Sequence, residues 1–213
     1  GIIMKINDKF TNKIHRTYNI RNIELEEDFK FLEKNILFEN DNTIIYCPSY
    51  SLGVCFKIDK SLLYKARETY EIEEMISALA DKQENVKLTE FPYGVVTQGR
   101  RVIGQEVRLY KEYEPLSKKV YSLTNEQFLI VCKKVLEIIK ELINNDIYYL
   151  DIHEDNFLVN DDLDVKLIDF SYNCVIFCHN NQNESKFCHE KLESMFTKLN
   201  NCQKEENNSH KTR

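Results

Sequence analysis

The sequence predicts an α+β protein in which a β-rich N-terminal part precedes a helical C-terminal part. Short apolar and aromatic runs, separated by turn-forming residues, fill the region 35–109 and are typical of strands. Apolar residues recur every three or four positions over 125–144, which is the period of an amphipathic helix. A chain of 213 residues that is 42% hydrophobic and 30% charged can form one domain or a two-lobed unit.

The strands are predicted in two groups with one helix between them. The first group comprises Asn35–Phe38, Ile44–Tyr46 and Leu52–Ile58. The helix covers about Glu68–Asp81 and has an apolar stripe formed by Ile72, Met75, Ile76 and Leu79. The second group comprises Val95–Thr97 and Val102–Leu109, which flank the hairpin signal Gly99-Arg100-Arg101.

Two further helices are predicted in the C-terminal part. The longer one covers Asn125–Asn144, and Thr124 is its expected N-cap. The other covers about Glu184–Leu199. The segment 203–213 beyond it has almost no apolar residues to bury, so we expect a disordered tail there.

The residues that carry chemistry lie between these two helices. Asp151 and Asn156 are five residues apart on an expected loop, and Asp169 lies thirteen residues further on, after an apolar strand. Asparagine and aspartate also favour solvated turns, which is the simpler explanation of any one of them. All three at these intervals, with apolar residues after Asn156 and Asp169, favour a functional motif.

The intervals resemble those of the catalytic loop and the metal-binding element of the protein-kinase-like superfamily. The similarity is greatest to small atypical bacterial-type kinase-like proteins, and the loop resembles those of RIO-type kinases and aminoglycoside phosphotransferases. It implies that Asp151 is the catalytic base for a hydroxyl acceptor. It also implies that Asn156 and Asp169 bind Mg²⁺, which takes oxygen ligands from carboxylates and from the phosphates of ATP.

The same resemblance also implies a structure and a role for the N-terminal part of the chain. It implies a bilobal kinase-like fold, with a β-rich N-lobe over about 1–110 and a reduced helical C-lobe over 111–202. The segment that ends in Lys57 resembles the strand whose lysine holds the phosphates of ATP as a point charge. Lys57 should pair with a glutamate on the following helix. We favour Glu73, and Glu71 and Glu74 remain alternatives because the phase of a helix is uncertain from sequence.

The chain departs from the family at several positions. The loop Glu39–Thr43 has no glycine where the family has a Gly-rich loop for the phosphates. Tyr149 and Leu150 replace the His-Arg pair before the catalytic aspartate. His153 stands where Ser/Thr kinases have a lysine, a variation that is frequent in aminoglycoside and choline kinases. It either acts on the phosphate or satisfies backbone groups of its own loop.

Charge and cysteine content restrict the partners. The chain has 29 lysine and arginine residues against 35 aspartate and glutamate residues, a net charge of −6, which does not favour nucleic acid as a partner. No apolar run approaches the length of a membrane span, so no membrane association is expected. The seven cysteines contain no Cys-x-x-Cys pair and favour reduced thiols in a cytoplasmic protein.

The sequence therefore predicts a compact kinase that uses ATP and Mg²⁺. A protein serine or threonine is the first expectation for its acceptor, and a small-molecule hydroxyl is the alternative that His153 favours. The loop without glycine and the reduced C-lobe suggest an alternative of a different class, a pseudokinase that binds nucleotide or acts as a scaffold, whereas the presence of Asp151, Asn156 and Asp169 argues against it. A third possibility is one half of an assembly whose partner completes the acceptor site. The oligomeric state stays open.

Overall fold

A computed structural model describes residues 2–5, 11–17, 19–63, 70–171 and 173–211. The chain divides into two compact units, the first formed by Gly1–Glu84 with Glu90–Tyr110 and the second by Asn85–Thr89 with Lys111–Arg213. The first unit is built on a large sheet, and the second contains the longest helices. The protein is therefore of the mixed α+β class that the sequence predicts.

The first unit contains an eight-stranded sheet. Its strands are β1 (Ile2–Lys5), β2 (Thr11–Thr17), β3 (Ile20–Leu25), β4 (Ile36–Glu39), β5 (Thr43–Tyr46), β6 (Val54–Asp59), β7 (Gly94–Gln98) and β8 (Arg101–Arg108). Its helices are α1 (Lys60–Leu63) and α2 (Tyr70–Lys82). The order across the sheet is β1-β2-β3-β7-β8-β6-β5-β4, with β3 parallel to β7 and the other neighbours antiparallel.

Strands β4 to β8 and helix α2 lie where the sequence predicts them. Their described first and last residues agree with the predicted ones to within two residues. The apolar stripe of α2 is buried as predicted, at Ile72, Met75, Ile76 and Leu79. The predicted start of this helix at Glu68 lies outside the described residues. The pattern of apolar residues along the sequence was therefore sufficient to locate the strands and the helix in this part of the unit.

Strands β1 to β3 were not predicted. In β3 the expected alternation fails, because Asn22 is buried beside Ile23. The Oδ1 atom of Asn22 accepts a hydrogen bond from the Thr97 hydroxyl on β7 at 2.9 Å. A polar side chain that finds its partner on a strand seventy-five residues away gives no local signal of burial.

Strands β6 and β8 approach closely at Gly104. A Cβ atom at this position would lie 2.4 Å from the carbonyl oxygen of Lys57 and 2.8 Å from Cδ1 of Ile58. Ile58 is directly opposite Gly104 in the register, and Lys57 is opposite Gln105. The glycine therefore allows β8 to pack against the strand segment that carries Lys57.

The second unit combines helices with short strands. Its helices are α3 (Leu116–Lys119), α4 (Asn125–Asn144) and α5 (Gln182–Lys211). Its strands are β9 (Glu114–Pro115), β10 (Ile147–Tyr149), β11 (Phe157–Val159), β12 (Val165–Leu167) and β13 (Val175–Phe177). β10 pairs with β13, and β11 lies between β12 and β9, all in antiparallel fashion.

Helix α4 confirms the prediction at both ends. Thr124 forms a capping box with Gln127, in which the Thr124 hydroxyl accepts from the Gln127 N–H at 3.1 Å. The Gln127 side chain accepts in return from the Thr124 N–H at 2.9 Å. Such a box satisfies two of the main-chain donors that a helix start leaves without intrahelical partners.

Helix α5 corrects the prediction for the end of the chain. It begins at Gln182 and continues through Lys211, so most of the segment 203–213 is helical instead of disordered, while 212–213 lie outside the described residues. Its buried positions recur every three or four residues, at Cys188, Leu192, Met195, Leu199 and Gln203. The Gln203 amide donates to the main-chain oxygen of Leu123 at 2.8 Å. A buried glutamine thus continues the apolar stripe, which composition does not reveal.

Within the described ranges, no helix combines the length and the apolar character needed to cross a membrane.

Candidate active site

The loop after β10 is held at both ends. β10 ends at Tyr149, and the N–H of Leu150 then donates to the carbonyl of Cys174 at 2.7 Å. The chain next forms a 3₁₀ turn over Glu154–Asn156 and continues directly into β11. The backbone of the predicted catalytic loop is therefore set by strands on both sides.

Side chains of this turn attach it to two helices. The Glu154 carboxylate accepts from the Lys198 ammonium group on α5. The neighbouring Asp155 accepts from the Ser117 hydroxyl on α3 at 2.5 Å. These two acidic residues therefore serve the structure of the turn, whereas the side chain of Asp151 is 47% exposed.

Asn156 contacts Asp151 directly. The Asn156 side chain is buried, and its Nδ2 donates to Oδ2 of Asp151 at 3.0 Å and to the Asp151 main-chain oxygen at 2.9 Å. The same nitrogen donates to the Tyr149 hydroxyl at 3.0 Å. Because the N–H groups of this amide point at these acceptors, Oδ1 is the atom of Asn156 that can bind a cation.

Tyr149 links Asn156 to Asp169, and sequence reasoning missed this role. Tyr149 is fully buried, and its hydroxyl donates to the Asp169 main-chain oxygen at 2.8 Å, with the Ile168 oxygen 3.1 Å away. Burial raises the pKa of Tyr149 well above its ordinary value, and nearby acidic groups add to the effect. The hydroxyl therefore stays a donor. In the sequence, the only sign of this role was that Tyr149 lies two residues before Asp151.

The backbone of Asp169 adopts the left-handed conformation, with φ of 73°. This region costs an L-residue about 1–2 kcal/mol, although aspartate tolerates it better than most. The N–H of Ile168 donates to the Asn156 main-chain oxygen at 2.8 Å, and the Asp169 oxygen accepts from Tyr149. Hydrogen bonds before and after the Asp169 Cα thus hold the strained residue next to Asn156.

His153 has a structural role in its own loop, which is one of the two roles that the sequence suggested for it. Its Nδ1 accepts a hydrogen bond from the N–H of Asp155 at 3.2 Å and so caps the 3₁₀ turn. A ring nitrogen that accepts carries no proton, so the neutral ring is protonated at Nε2. Nε2 lies 3.6 Å from Oδ1 of Asp151, which is beyond ordinary hydrogen-bond length.

Lys57 and Glu73 lie in the first unit, whereas Asp151, Asn156 and Asp169 lie in the second. Lys57 is half-buried on β6. On α2, Glu73 is half-buried, and the alternatives Glu71 and Glu74 are exposed. Of the three glutamates considered, Glu73 is therefore the one on the inner side of the helix.

The loop between β4 and β5 uses its own side chain to form the turn. Oδ1 of Asn40 accepts from the N–H groups of Asn42 and Thr43, each at 2.8 Å. These amides therefore have an internal acceptor. In a Gly-rich loop, equivalent amides are free to bind phosphate.

The predicted cation ligands fit Mg²⁺ by their chemistry. A magnesium ion is usually bound through one or two carboxylates together with substrate phosphates and water, and a dedicated protein cage is unusual. Asp169 supplies a carboxylate and Asn156 an amide oxygen. Among the residues that the structure describes, no cluster of three or more His, Cys, Asp or Glu side chains could hold a metal.

Comparison of the chain with protein-family models and with curated proteins found no match.

Proposed function

We propose that this protein is a kinase of the protein-kinase-like superfamily that transfers the γ-phosphate of ATP to a hydroxyl group. A protein serine or threonine is the first choice of acceptor. The proposal includes a bilobal fold and a cytoplasmic location. It draws on the sequence motif and on the hydrogen bonds that join Asp151, Asn156, Tyr149 and Asp169.

The observation that carries the proposal is the bond from the Asn156 amide to the Asp151 carboxylate at 3.0 Å. This bond orients a carboxylate that stays half-exposed and can accept the proton of an approaching hydroxyl group. The Asn156 oxygen is at the same time left for a cation. One pair of side chains thus supplies both of the functions that phosphoryl transfer requires of this loop.

The other site residues act on the nucleotide. Asn156 and Asp169 would hold Mg²⁺, which neutralises the charge that develops on the phosphate oxygens. Lys57 binds the phosphates as a point charge, and Glu73 pairs with Lys57. His153 caps the catalytic turn.

The test of this function is phosphate transfer from radiolabelled ATP, measured with cell lysate and with a panel of small hydroxyl compounds. The parent should label an acceptor, and the class of that acceptor separates a protein kinase from a small-molecule kinase. The variant Asp151→Asn keeps the shape of the side chain but removes the base. It should lower the transfer rate by roughly 10²-fold or more, the size of general-base contributions.

The affinity of the Asp151→Asn variant for nucleotide should change little, because the residue faces the acceptor hydroxyl. Asp162→Asn, an exposed aspartate in the same unit, is the matched control and should behave as the parent does. Equal transfer by the parent and Asp151→Asn would exclude Asp151 as the base.

A pseudokinase is the second candidate, and the internal turn at Asn40 favours it. The amides of Asn42 and Thr43 already have an acceptor, so this loop contributes less to phosphate binding than a Gly-rich loop does. A parent protein that binds Mg²⁺-ATP but transfers phosphate to neither lysate nor small hydroxyl compounds would establish this candidate.

A further inference from the structure

Cys47 follows directly after β5, and Cys55 lies on the neighbouring strand β6. The register pairs Ile45 with Lys57 and Tyr46 with Phe56. Extended by one residue beyond the end of β5, this register would place Cys47 opposite Cys55. Directly opposed residues of antiparallel strands project their side chains from the same face of the sheet. In this extended register the two thiols would share one face.

Main-chain hydrogen bonds show which kind of pair these cysteines form. The N–H of Cys47 donates to the carbonyl of Asn35, just before β4, at 2.8 Å and so points away from β6. The N–H of Lys60 donates to Asn42 at 2.9 Å, which marks a hydrogen-bonded pair at the other end of the β5–β6 ladder. Because the two kinds of pair alternate, the extended register puts Cys47 and Cys55 at a non-hydrogen-bonded position.

This kind of pair suits a disulfide. The Cα atoms of a non-hydrogen-bonded pair are about 4.5 Å apart and their side chains are close. A disulfide accepts Cα separations of about 4.4–6.8 Å. The bond can therefore form without a large movement of either strand.

The two thiols differ in access. Both residues are thiols in the structure, and Cys55 is buried whereas Cys47 is half-buried. Burial, together with the neighbouring Cys47, raises the pKa of Cys55 to about 12. Because Cys47 is the more exposed of the two, a dissolved oxidant would reach Cys47 first, and the raised pKa makes Cys55 the slower, resolving thiol.

We propose that Cys47 and Cys55 form a thiol–disulfide exchange site that a small-molecule disulfide, such as oxidised glutathione, converts to a cross-strand disulfide. The Cys47 thiolate attacks one sulfur of the oxidant, whose S–S bond breaks and releases one thiolate. The Cys55 thiol then loses its proton to solvent as its sulfur attacks Sγ of Cys47 and displaces the second thiolate. The two cysteine thiols lose two electrons and two protons, and the oxidant leaves as two thiols.

The exchange site lies beside Lys57. Cys55 and Lys57 are two residues apart on β6, so their side chains leave the strand on the same face. A disulfide at Cys55 would restrain the segment of β6 from which the Lys57 side chain projects on the same face of the sheet. Oxidation should therefore weaken the binding of Mg²⁺-ATP, a consequence that rests on the proposed function.

Peptide mapping after treatment with oxidised glutathione tests the disulfide itself. The parent should lose two hydrogen atoms in mass and yield a Cys47–Cys55 linked peptide. Cys55→Ala should instead retain one glutathione on Cys47, because the resolving thiol is missing. Cys132→Ser removes a half-buried cysteine on α4 and is the control that should form the same link as the parent.

Alkylation of both Cys47 and Cys55 in the treated parent would overturn the proposal, and so would a linkage of either to another cysteine. The parent alone supplies this result, so it does not depend on the folding of a variant.

Nucleotide binding by the reduced, oxidised and re-reduced parent tests the link to Lys57. We expect several-fold weaker binding after oxidation and recovery after reduction, with Cys47→Ser insensitive to both treatments. Unchanged binding by the mapped disulfide form would overturn this link. A reduced parent that binds no nucleotide would contradict the proposed function, whereas the mapping result would still decide whether the disulfide forms.

Discussion

The hydroxyl group of Tyr149 joins residues that are far apart in the sequence. It accepts from the Asn156 amide and donates to the carbonyl of Asp169. A buried hydroxyl with both a donor and an acceptor satisfied fixes the groups on either side. At the scale of single residues, Tyr149 is thus a positioning residue for both predicted cation ligands.

Tyr149→Phe should weaken the response of the protein to Mg²⁺-ATP. The variant keeps the ring but leaves the Asp169 carbonyl without its hydroxyl donor, which should cost about 1–3 kcal/mol of stability. Tyr148→Phe is the matched control, because Tyr148 is also buried and its hydroxyl accepts from the N–H of Asn181 at 3.0 Å. Thermal unfolding with and without Mg²⁺-ATP measures both effects.

Both variants should be destabilised, and only Tyr149→Phe should reduce the nucleotide-dependent shift. An equal shift in the two variants would contradict a positioning role for Tyr149.

Glu106 is a fully buried carboxylate on β8. The Tyr50 hydroxyl donates to its Oε2, and Nη1 of Arg21 lies 3.4 Å from Oε1, which has no hydrogen bond within the described part of the chain. Burial raises the pKa of Glu106 above its ordinary value of 4.5, and Tyr50 and Arg21 offset part of this effect. Relative to the unfolded chain, the folded state therefore shifts Glu106 toward its protonated form.

The sign of the resulting pH dependence follows from linkage. Because the pKa is higher in the folded state, the contribution of Glu106 to stability is complete below pH 4.5 and is lost as the pH rises through the folded pKa. Glu106→Gln should remove this loss and flatten the profile of unfolding free energy against pH. Urea unfolding over a pH series measures it, with exposed Glu137→Gln as the control. Identical profiles for the parent and Glu106→Gln would show that the prediction is wrong.

At the scale of elements, the separation of β6 from β8 depends on Gly104. A Cβ atom there would meet the Lys57 carbonyl at 2.4 Å, a distance that main-chain atoms can relieve only by moving. Gly53, just before β6, is the opposite case, because a Cβ atom there has no described atom within 4 Å. The two glycines therefore form a matched pair.

Gly104→Ala should lower the unfolding free energy by about 1–3 kcal/mol, as overpacking of a buried site does. It should also weaken nucleotide binding, because relief of the clash displaces the strand segment that carries Lys57. Gly53→Ala should leave both properties close to those of the parent. Denaturant unfolding and a nucleotide-binding isotherm check the two effects. A Gly104→Ala variant as stable as the parent would show that the sheet absorbs the methyl group at no cost.

Helix α5 is longer than its amino-acid composition predicts. Its second half is polar, yet Gln203 occupies a buried position and satisfies the Leu123 carbonyl. A buried amide with a partner contributes to packing instead of opposing it. The helix therefore continues beyond its apolar residues.

At the scale of the whole molecule, the predicted nucleotide residues are divided between two units, and the chain has a net charge of −6. ATP is itself an anion, so the proposed binding would require local positive charge, for which Lys57 and a divalent cation are the candidates. Binding to the folded state alone stabilises a protein by mass action, by about 2.7 kcal/mol at a ligand concentration of 100 times Kd.

We therefore expect ATP to raise the melting temperature only when Mg²⁺ is present. Asp169→Asn should abolish the dependence on metal, because it removes the carboxylate ligand, and Asp162→Asn should retain it. Differential scanning fluorimetry with ATP, with Mg²⁺ and with both measures the effect. An unchanged metal dependence in Asp169→Asn would count against Asp169 as a ligand, and no response in the parent would favour a scaffold.

The sequence by itself determined the features that depend on neighbours along the chain. Helix α4 was predictable because Thr124 and Gln127 form their capping box within one turn. The apolar stripe of α2 was predictable for the same reason, since a helix repeats over a few residues. The spacing of Asp151, Asn156 and Asp169 likewise required no tertiary contact to be recognised.

Only the tertiary structure decided the features that depend on distant partners. Strand β3 contains the buried Asn22, whose partner Thr97 lies on β7. Tyr149 meets the carbonyl of Asp169 twenty residues away. Hydrogen bonds of this kind form only after the chain has folded, and no local period encodes them. The spacing of residues along the sequence thus identifies the candidate site residues, whereas the fold decides which other side chains hold them in position.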